Sequence, residues 1–255
     1  VTDHEKIEDC IDELVDYAED SIPVLSETKE LLGVITAQDV VEAVDDEMGE
    51  DYAKLAGLTD EEDLRETTKE SMKKRLPWLI ILLFLGMGVS SVVGAFEAVV
   101  AVLPIVMCFQ SLILDMAGNV GTQSLAVTIR VLMDENLTGK QKLHLVWKEM
   151  KVGFVNGLLL GSLAFVFIGI YIACFKHNAW LQAFLISGCV GVSLMVAMVI
   201  SSLVGTLIPI FFHKIKIDPA VASGPLITTV NDLVAVVTYY GLAWLFLIQI
   251  MQIVS

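Results

Sequence analysis

Five long apolar segments in the second part of the chain constrain its fold more than any other feature. Each is long enough to cross about 30 Å of hydrocarbon as a helix. They begin near Trp78, Leu103, Gly153, Trp180 and Ala220. Only helices and closed barrels satisfy every backbone polar group within lipid, and long continuous apolar runs favour helices. We therefore predict a mainly α protein whose residues 76–255 form a transmembrane bundle of five helices.

The distribution of charge separates this bundle from the segment before it. The first 75 residues contain 24 acidic and 8 basic residues, a net charge of −16, whereas the remainder contains 7 acidic and 8 basic residues, a net charge of +1. An acidic segment repels nucleic acid and attracts cations. The pattern argues against a nucleic-acid partner and fits a sensor of divalent cations, although an acidic surface that is merely solvated has the same composition.

Basic residues mark one side of the predicted bundle. They cluster before the first span, between the second and third, and between the fourth and fifth, whereas the two other connections hold only Glu97 and the pair Lys176 and His177. Basic connections tend to stay in the cytoplasm. We therefore predict a multi-pass protein of the plasma (inner) membrane, with a cytoplasmic N-terminus and Ser255 outside.

A carboxylate near the middle of the fifth span is the strongest single indication of function. Asp232 lies in an apolar run, where a charge costs about 2.5 kcal/mol or more and persists only beside water, a cation or a partner. Gly224 and Thr228 precede it as secondary pore candidates. Pro225 lacks an N–H and is expected to free a carbonyl about four residues earlier. The fifth span is therefore predicted to carry an ion site.

Polar groups also interrupt the second span. Asn119 supplies an amide oxygen, Gly118 and Gly121 allow the backbone to approach closely, and Asp115 lies one turn earlier. Carboxylate and amide oxygens are ligands that hard cations prefer. We therefore predict that the second and fifth spans face each other along an oxygen-lined cation path, with Asn119 and Asp232 as its main ligands.

The segment before the spans has the pattern of a small α/β module followed by a polar helix. Its predicted elements are, in order, an amphipathic helix over Asp9–Ala18, two short buried strands at Ser21–Leu25 and Leu32–Thr36, and a helix that opens at Ala37. This order resembles the CBS regulatory module, assigned here as a partial module to residues 1–48. Residues 49–75 are predicted to form a connecting helix that leads into the membrane domain.

Three stretches together resemble one membrane family. They are Arg75-Leu-Pro-Trp78 in the first span, Ala117-Gly-Asn-Val-Gly-Thr-Gln123 in the second, and Asp218-Pro-Ala-Val-Ala-Ser-Gly-Pro-Leu-Ile-Thr-Thr-Val-Asn-Asp232 in the fifth. Over essentially its whole length the chain is similar to the MgtE family of magnesium transporters. It resembles the family's second CBS module, connecting helix and five spans, without the N-terminal helical domain and the first CBS module.

This resemblance implies a function. Family members are homodimeric, magnesium-selective channels in the bilayer, not enzymes, and their pore lies at the dimer interface between the second and fifth spans. Asp232 and Asn119 match the pore residues of those spans. Glu47, Glu50 and Asp51 match acidic residues with which family members sense cytosolic Mg²⁺. By this resemblance they would bind Mg²⁺ and close the channel. Mg²⁺ would then be both the transported and the regulatory ion.

Other readings remain open at this point. Thr122 and Gly224 stand where the family often has Asn, which leaves the secondary pore ligands open. Co²⁺ and Mn²⁺ are alternative substrates because oxygen ligands separate such ions by hydration and geometry, although no Cys or His stands beside Asp232 to favour softer metals. Asp115 and Asp232 would also suit an intramembrane aspartyl protease, but the Tyr-Asp and Gly-x-Gly-Asp patterns are absent.

Overall fold

The computed structural model describes most of the chain in full side-chain detail. The described residues are 2, 4, 21–59, 65–102, 104–132, 137–176, 178–221 and 224–250, and among them the side chains of 47, 98, 100, 102, 248 and 250 are left undescribed. The helix predicted over Asp9–Ala18 lies outside the described residues.

A β-hairpin opens the described part of the N-terminal segment. Strand β1, Ser21–Leu25, pairs antiparallel with β2, Leu31–Thr36, as predicted in position. The predicted burial is wrong, because Leu31 and Val34 remain 65% and 56% exposed. The reason is geometric: alternating apolar residues become buried only when another layer covers one face, and no other described element packs as a layer on this hairpin.

Helix α1, Ala37–Leu55, begins where the sequence predicts. The side chain of Asp39 accepts hydrogen bonds from the backbone N–H and the hydroxyl of Thr36, both at 2.7 Å. This capping box satisfies donors that the first helical turn would otherwise leave free. The same hydrogen bonds lower the pKa of the Asp39 carboxyl below its ordinary value. The local sequence alone therefore defines the start of α1.

The predicted connecting helix over residues 49–75 is not one continuous helix. Its first part belongs to α1, which ends at Leu55 and is followed by Gly57 at φ +82°. A new helix, α2, covers Thr68–Ala95, with Thr67 and Glu70 forming its capping box. A left-handed glycine ends a helix and a capping box starts one, and these signals divide the polar stretch.

Among the residues that the structure describes, five helices are long and apolar enough to cross a membrane, which confirms the predicted fold class. They are α2; the second span Pro104–Leu132, which is a 3₁₀ turn followed by α4, Gln110–Leu132; α5, Gly139–Phe175; α6, Trp180–Lys214; and the fifth span Gly224–Leu247, which contains α7, Gly224–Ala243. A short helix α3, Glu97–Val102, joins the first two spans.

Helix α5 begins well before the apolar segment predicted from Gly153. The hydroxyl and backbone N–H of Thr138 both donate to the side chain of Gln141, at 2.6 Å and 2.9 Å, in another capping box. The basic stretch after Gly139 is therefore helical as well. The span prediction missed this extension because it followed apolar residues only.

The bundle is built around close contacts between α4, α5, α6 and α7. On α5 and α6, a Cβ added to Gly161 or Gly191 would lie 2.6 Å from the carbonyl oxygen of the other residue. Small residues at such crossings bring backbones together, as the repeated glycines of α5 predict. Tyr239 and Tyr240 of α7 are fully buried, and the Tyr239 hydroxyl donates to the carbonyl of Val106 at 2.7 Å.

Candidate cation site between two membrane helices

Helices α4 and α7 pack against each other in antiparallel directions. A Cβ added to Gly118 would lie 3.0 Å from Thr228 Cγ2, and a Cβ added to Gly224 would lie 3.5 Å from Thr122 Cγ2. The contacting residues come earlier in α7 as they come later in α4, so the two helices run antiparallel. The predicted contact between the second and fifth spans is therefore present within one copy of the chain.

The register extends toward the two membrane aspartates. Asp232 follows Thr228 by four residues and therefore lies on the same face of α7, one turn further along. Asp115 precedes Gly118 by three residues and lies one turn further along α4 in the matching direction. Asp232 is half-buried and Asp115 is exposed. The two carboxylates thus lie at similar heights on neighbouring helices.

Asn119 lies on a different face of α4 from the residues that contact α7. It is exposed and lines a groove of about 440 Å³ between α4, α5 and α6. Two further amides, Gln123 and Asn156, line the same groove, whose remaining walls are apolar. No hydrogen bond among the described residues joins Asn119 to Asp232. One copy of the chain therefore does not bring the two predicted ligands together directly.

The secondary candidates already have partners within their own helices. The Thr122 hydroxyl donates to the Gly118 carbonyl at 2.7 Å, and the Thr228 hydroxyl donates to the Gly224 carbonyl at 2.9 Å. Such bonds between a hydroxyl and the carbonyl four residues earlier are common in membrane helices. Each of these carbonyls also accepts the helical N–H four residues later, so both of its lone pairs are already in use. The roles of Gly118, Gly224 and Thr228 in a pore stay predictions.

Gly121 and Asn231 form a tight contact that sequence reasoning missed. A Cβ on Gly121 would overlap the Asn231 amide, and a Cβ on Gly205 of α6 would overlap the Gly121 carbonyl oxygen. Asn231 is fully buried, and neither atom of its amide has a hydrogen-bond partner among the described residues. A buried amide of this kind costs free energy. Only the packing reveals it, because the sequence does not tell which face Asn231 occupies.

Pro225 does not interrupt α7 as predicted. It is the second residue of this helix, which begins at Gly224. The first turn of a helix has no carbonyl partner for its N–H groups, so proline breaks no hydrogen bond there. The expectation that Pro225 frees a carbonyl inside the helix is therefore wrong.

The end of α1 docks on the start of α7. Lys54 donates to Asp218 Oδ2 at 2.9 Å, just before α7, and lies 3.4 Å from Glu50 Oε2. Burial alone would lower the pKa of Lys54, but the interactions with Asp218 and Glu50 outweigh it and raise that pKa. Leu55 packs with the buried pair Leu125 and Ile227. The N-terminal segment thus contacts both α4 and α7.

Gly57 allows the turn after α1 to pack closely against α2 and α7. A Cβ there would lie 2.5 Å from Trp78 Cδ1 of α2 and 3.3 Å from Pro225 Cγ of α7. Only a residue without a side chain fits between the two rings, and the positive φ of Gly57 also favours glycine. The turn after α1 is therefore wedged between the first and fifth spans.

The predicted regulatory acids lie near this junction. Burial raises the pKa of the Asp51 carboxyl above its ordinary value; the Asp218 and Glu50 carboxylates raise it further, whereas Lys54 opposes them. Glu50 is exposed and paired with Lys54. The backbone of Glu47 is helical, but its side chain lies outside the described residues. Negative charge therefore gathers at the α1–α7 contact around one lysine.

In the part of the chain that the structure describes, a single copy has no complete set of charged or imidazole ligands for a metal ion. No three His, Cys, Asp or Glu side chains come close enough there to hold an ion. A cation beside Asp232 would therefore need further ligands, such as amides, carbonyl oxygens, water or groups of a second copy. The five apolar helices of the described part, with carboxylates and amides on the second and fifth, define a polytopic helical membrane protein.

Sequence comparison identifies the family. The profile of the MgtE family, described as a divalent cation transporter, matches residues 110–242, and the profile of the CBS domain matches residues 1–46. This chain therefore belongs to the MgtE family. The family description is that of a transporter and not of an enzyme, which sets aside the protease alternative.

Three curated relatives are similar over most of the chain. Magnesium transporter MgtE of Enterococcus faecalis is 38% identical over 240 residues, which cover 94% of this chain and 51% of that protein. The protein of the same name from Bacillus subtilis is 38% identical over 229 residues, 89% of this chain and 48% of its own length. That of Thermus thermophilus is 32% identical over 238 residues, 92% and 50%. The chain spans about half the length of these relatives.

Proposed function

We propose that this chain carries Mg²⁺ across the membrane through a pore at the interface between two copies, lined by α4 and α7. The observation that carries the proposal is the polar face of α4, where Asp115 and Asn119 are exposed on a helix of the membrane bundle. Lipid cannot solvate a carboxylate or an amide. A second copy that meets this face with water enclosed between them would remove the exposure and create a polar path.

The chemistry of the available ligands suits a hydrated ion. Mg²⁺ prefers six oxygen ligands in an octahedron and gives up its water reluctantly. One Asp232 and one Asn119 per copy are too few to replace that water. A twofold axis would double them, so that two carboxylates and two amides contact the water shell of one ion. The names of the three relatives support Mg²⁺ over Co²⁺ and Mn²⁺.

We also propose that cytosolic Mg²⁺ closes this path through α1. Glu47, Glu50 and Asp51 lie on the helix whose end contacts α7, and a divalent cation would offset the repulsion between these acids and Asp218. The docked α1 would then hold the first turn of α7 in place. When Mg²⁺ is scarce, repulsion would loosen the contact and free α7 to move.

The proposed domain division follows from the same reasoning. Residues 1–48 would form the regulatory module, 49–75 the connection and 76–255 the membrane domain, with the N-terminal segment in the cytoplasm. Because α1 ends at Leu55 and α2 is a separate helix, the connection between the two domains contains a joint. That joint allows the regulatory segment to move without bending a transmembrane helix.

Uptake by the purified protein in liposomes tests the proposed function. Vesicles that contain a Mg²⁺-sensitive dye should take up Mg²⁺ in preference to Ca²⁺, Co²⁺, Mn²⁺ and Na⁺ when each is added outside at equal concentration. Empty vesicles provide the baseline. Protein that is folded and dimeric in the vesicles but moves none of these ions would contradict the proposal, whereas faster uptake of Co²⁺ or Mn²⁺ would reassign the substrate.

A further inference from the structure

A buried carboxyl group lies in the membrane domain outside the proposed path. Glu149 of α5 is 5% exposed and lies where α4, α5 and α6 meet. Its neighbours in sequence, Lys148 and Lys151, are exposed, and no ion pair among the described residues includes it. An ionised carboxylate buried without a cation is costly. Glu149 therefore needs another means of satisfying its carboxyl group.

Two serine hydroxyls surround this carboxyl. Ser124 Oγ of α4 lies 3.1 Å from Glu149 Oε2 and 2.8 Å from Ser202 Oγ of α6. Ser202 Oγ lies 2.8 Å from the backbone carbonyl oxygen of Glu149. All three oxygen pairs are within hydrogen-bond distance. The three side chains and one carbonyl thus form a closed chain of three contacts.

The number of protons decides the charge of this group. A carbonyl oxygen can only accept, so the single proton of Ser202 must go to the carbonyl of Glu149. Ser202 can then only accept from Ser124, which uses the proton of Ser124. The contact between Ser124 and Glu149 is left without a hydroxyl proton. If the carboxyl were ionised, one of the three contacts would place two oxygen lone pairs against each other.

We propose that Glu149 is held as a neutral carboxylic acid that donates to Ser124 and so binds a proton inside the membrane domain. With this third proton, every contact in the chain has one donor: Glu149 to Ser124, Ser124 to Ser202, and Ser202 to the Glu149 carbonyl. The arrangement links α4, α5 and α6 without any buried charge. Nothing in the proposed transport path assigns this site a role.

The location of Ser124 indicates what the neutral acid does. Ser124 follows Asn119 by five residues, which is about 140° around an α-helix. Asn119 lines the groove, whereas Ser124 faces inward and is buried. Glu149 therefore joins α4 to α5 and α6 beside the groove, at a different angle around α4 from its exposed polar face. It acts as a positioning residue for that face, a role that rests on the proposed function, although the protonation itself does not.

Infrared spectroscopy of the reconstituted protein tests the protonation directly. A protonated carboxyl has a C=O stretch that is separate from carboxylate bands and shifts in D₂O. The wild-type spectrum minus that of Glu149→Gln should show this band, and the same difference for Asp232→Asn serves as the control for the other membrane carboxyls. A difference spectrum in which a carboxylate band is lost instead would overturn the proposal, whether or not the protein transports Mg²⁺.

A set of variants tests the positioning role. In Glu149→Gln the side-chain N–H replaces the acid O–H as donor to Ser124, so uptake and melting temperature should stay near wild type. In Glu149→Leu the donor is absent, and melting should fall by about 2 °C or more, together with uptake. Loss of uptake in Glu149→Gln, with an unchanged melting temperature, would show that an ionised group is needed and would overturn the assignment.

Discussion

At the scale of single residues, Asp232 is the main ligand of the proposed pore. It is half-buried on the face of α7 that contacts α4, and one turn separates it from Thr228. The hydroxyl of Thr228 is committed to a backbone carbonyl of its own helix. The Asp232 carboxylate is therefore the group on this face best able to attract a hydrated cation.

Replacing Asp232 with Asn should reduce Mg²⁺ uptake by about tenfold or more, the effect of losing about 1.4 kcal/mol of ion binding. The change keeps volume and one oxygen but removes the charge from each copy. Asp232→Glu keeps the charge but moves it by one methylene, and should impair uptake less. Asp115→Asn is the matched control, with a smaller loss expected. Wild-type uptake by Asp232→Asn in correctly folded protein would remove Asp232 from the path.

Asp51 predicts a dependence of gating on pH. Because its pKa in the docked arrangement lies above the ordinary 3.8, the docked arrangement binds this proton more tightly than the undocked one. The protonated form therefore favours docking, and this contribution is lost as pH rises through the raised pKa. Protonation also removes a negative charge that Mg²⁺ would otherwise offset.

Acidification from about pH 7.5 to about pH 5 should therefore narrow the difference in uptake between low and high cytosolic Mg²⁺. Replacing Glu47, Glu50 and Asp51 together with Gln or Asn should narrow it at all pH values. Asp45→Asn removes an exposed acid of the same helix and serves as the control for charge alone. Inhibition by Mg²⁺ that is unchanged in the triple variant would count against these residues as the sensor.

At the scale of elements, the helices and strands that could be predicted are those marked by local sequence signals. The capping box of Thr36 and Asp39 marks the start of α1, and apolar length marks the five spans. The start of α5 and the break after Leu55 were missed, since apolar periodicity says little about basic or acidic helices. Burial of the hairpin and of Glu149 was beyond sequence reasoning, because both depend on which elements pack together.

The crossing of α5 and α6 gives a prediction at this scale. Gly161→Ala would place a methyl group 2.6 Å from the backbone carbonyl of Gly191, which must shift the helices apart. We expect a loss of about 1–3 kcal/mol, or roughly 2–4 °C of melting temperature per kcal/mol. Gly86→Ala on α2 is the matched control, because nothing lies within 4 Å of its Cβ position. Equal melting temperatures for the two variants would contradict the close crossing.

At the scale of the whole molecule, one copy of the chain leaves a polar helix face uncovered among the residues that the structure describes. No residue of α2 is buried, although this helix packs on α7, and the face of α4 with Asp115 and Asn119 is exposed. The apolar α2 can face lipid, but the polar face of α4 cannot. The candidate site is thus predictable as a set of residues, and so is the proposed second copy, whereas the face of α4 that a second copy would cover depends on packing that the sequence does not define.

We therefore expect the protein to be a homodimer in detergent and in bilayers. Mass measurement of the detergent complex and counting of single labelled molecules in vesicles should both give two copies. Cysteine introduced at Asn119 should form a disulfide across the twofold axis if the two α4 helices approach there, whereas cysteine at Phe167, an exposed residue of α5 outside the groove, should not. A single copy that conducts Mg²⁺ would rule out a pore between subunits.

The length of α5 has a mechanical consequence. Its 37 residues rise about 55 Å, whereas the hydrocarbon layer is about 30 Å thick, so roughly four turns stand in the headgroup region and the water beyond. Lysines 140, 142, 148 and 151 lie on these turns. Each lysine near anionic lipid contributes about 1 kcal/mol of attraction. We therefore expect these turns to hold α5, and the helices packed on it, at a fixed depth and tilt in the bilayer.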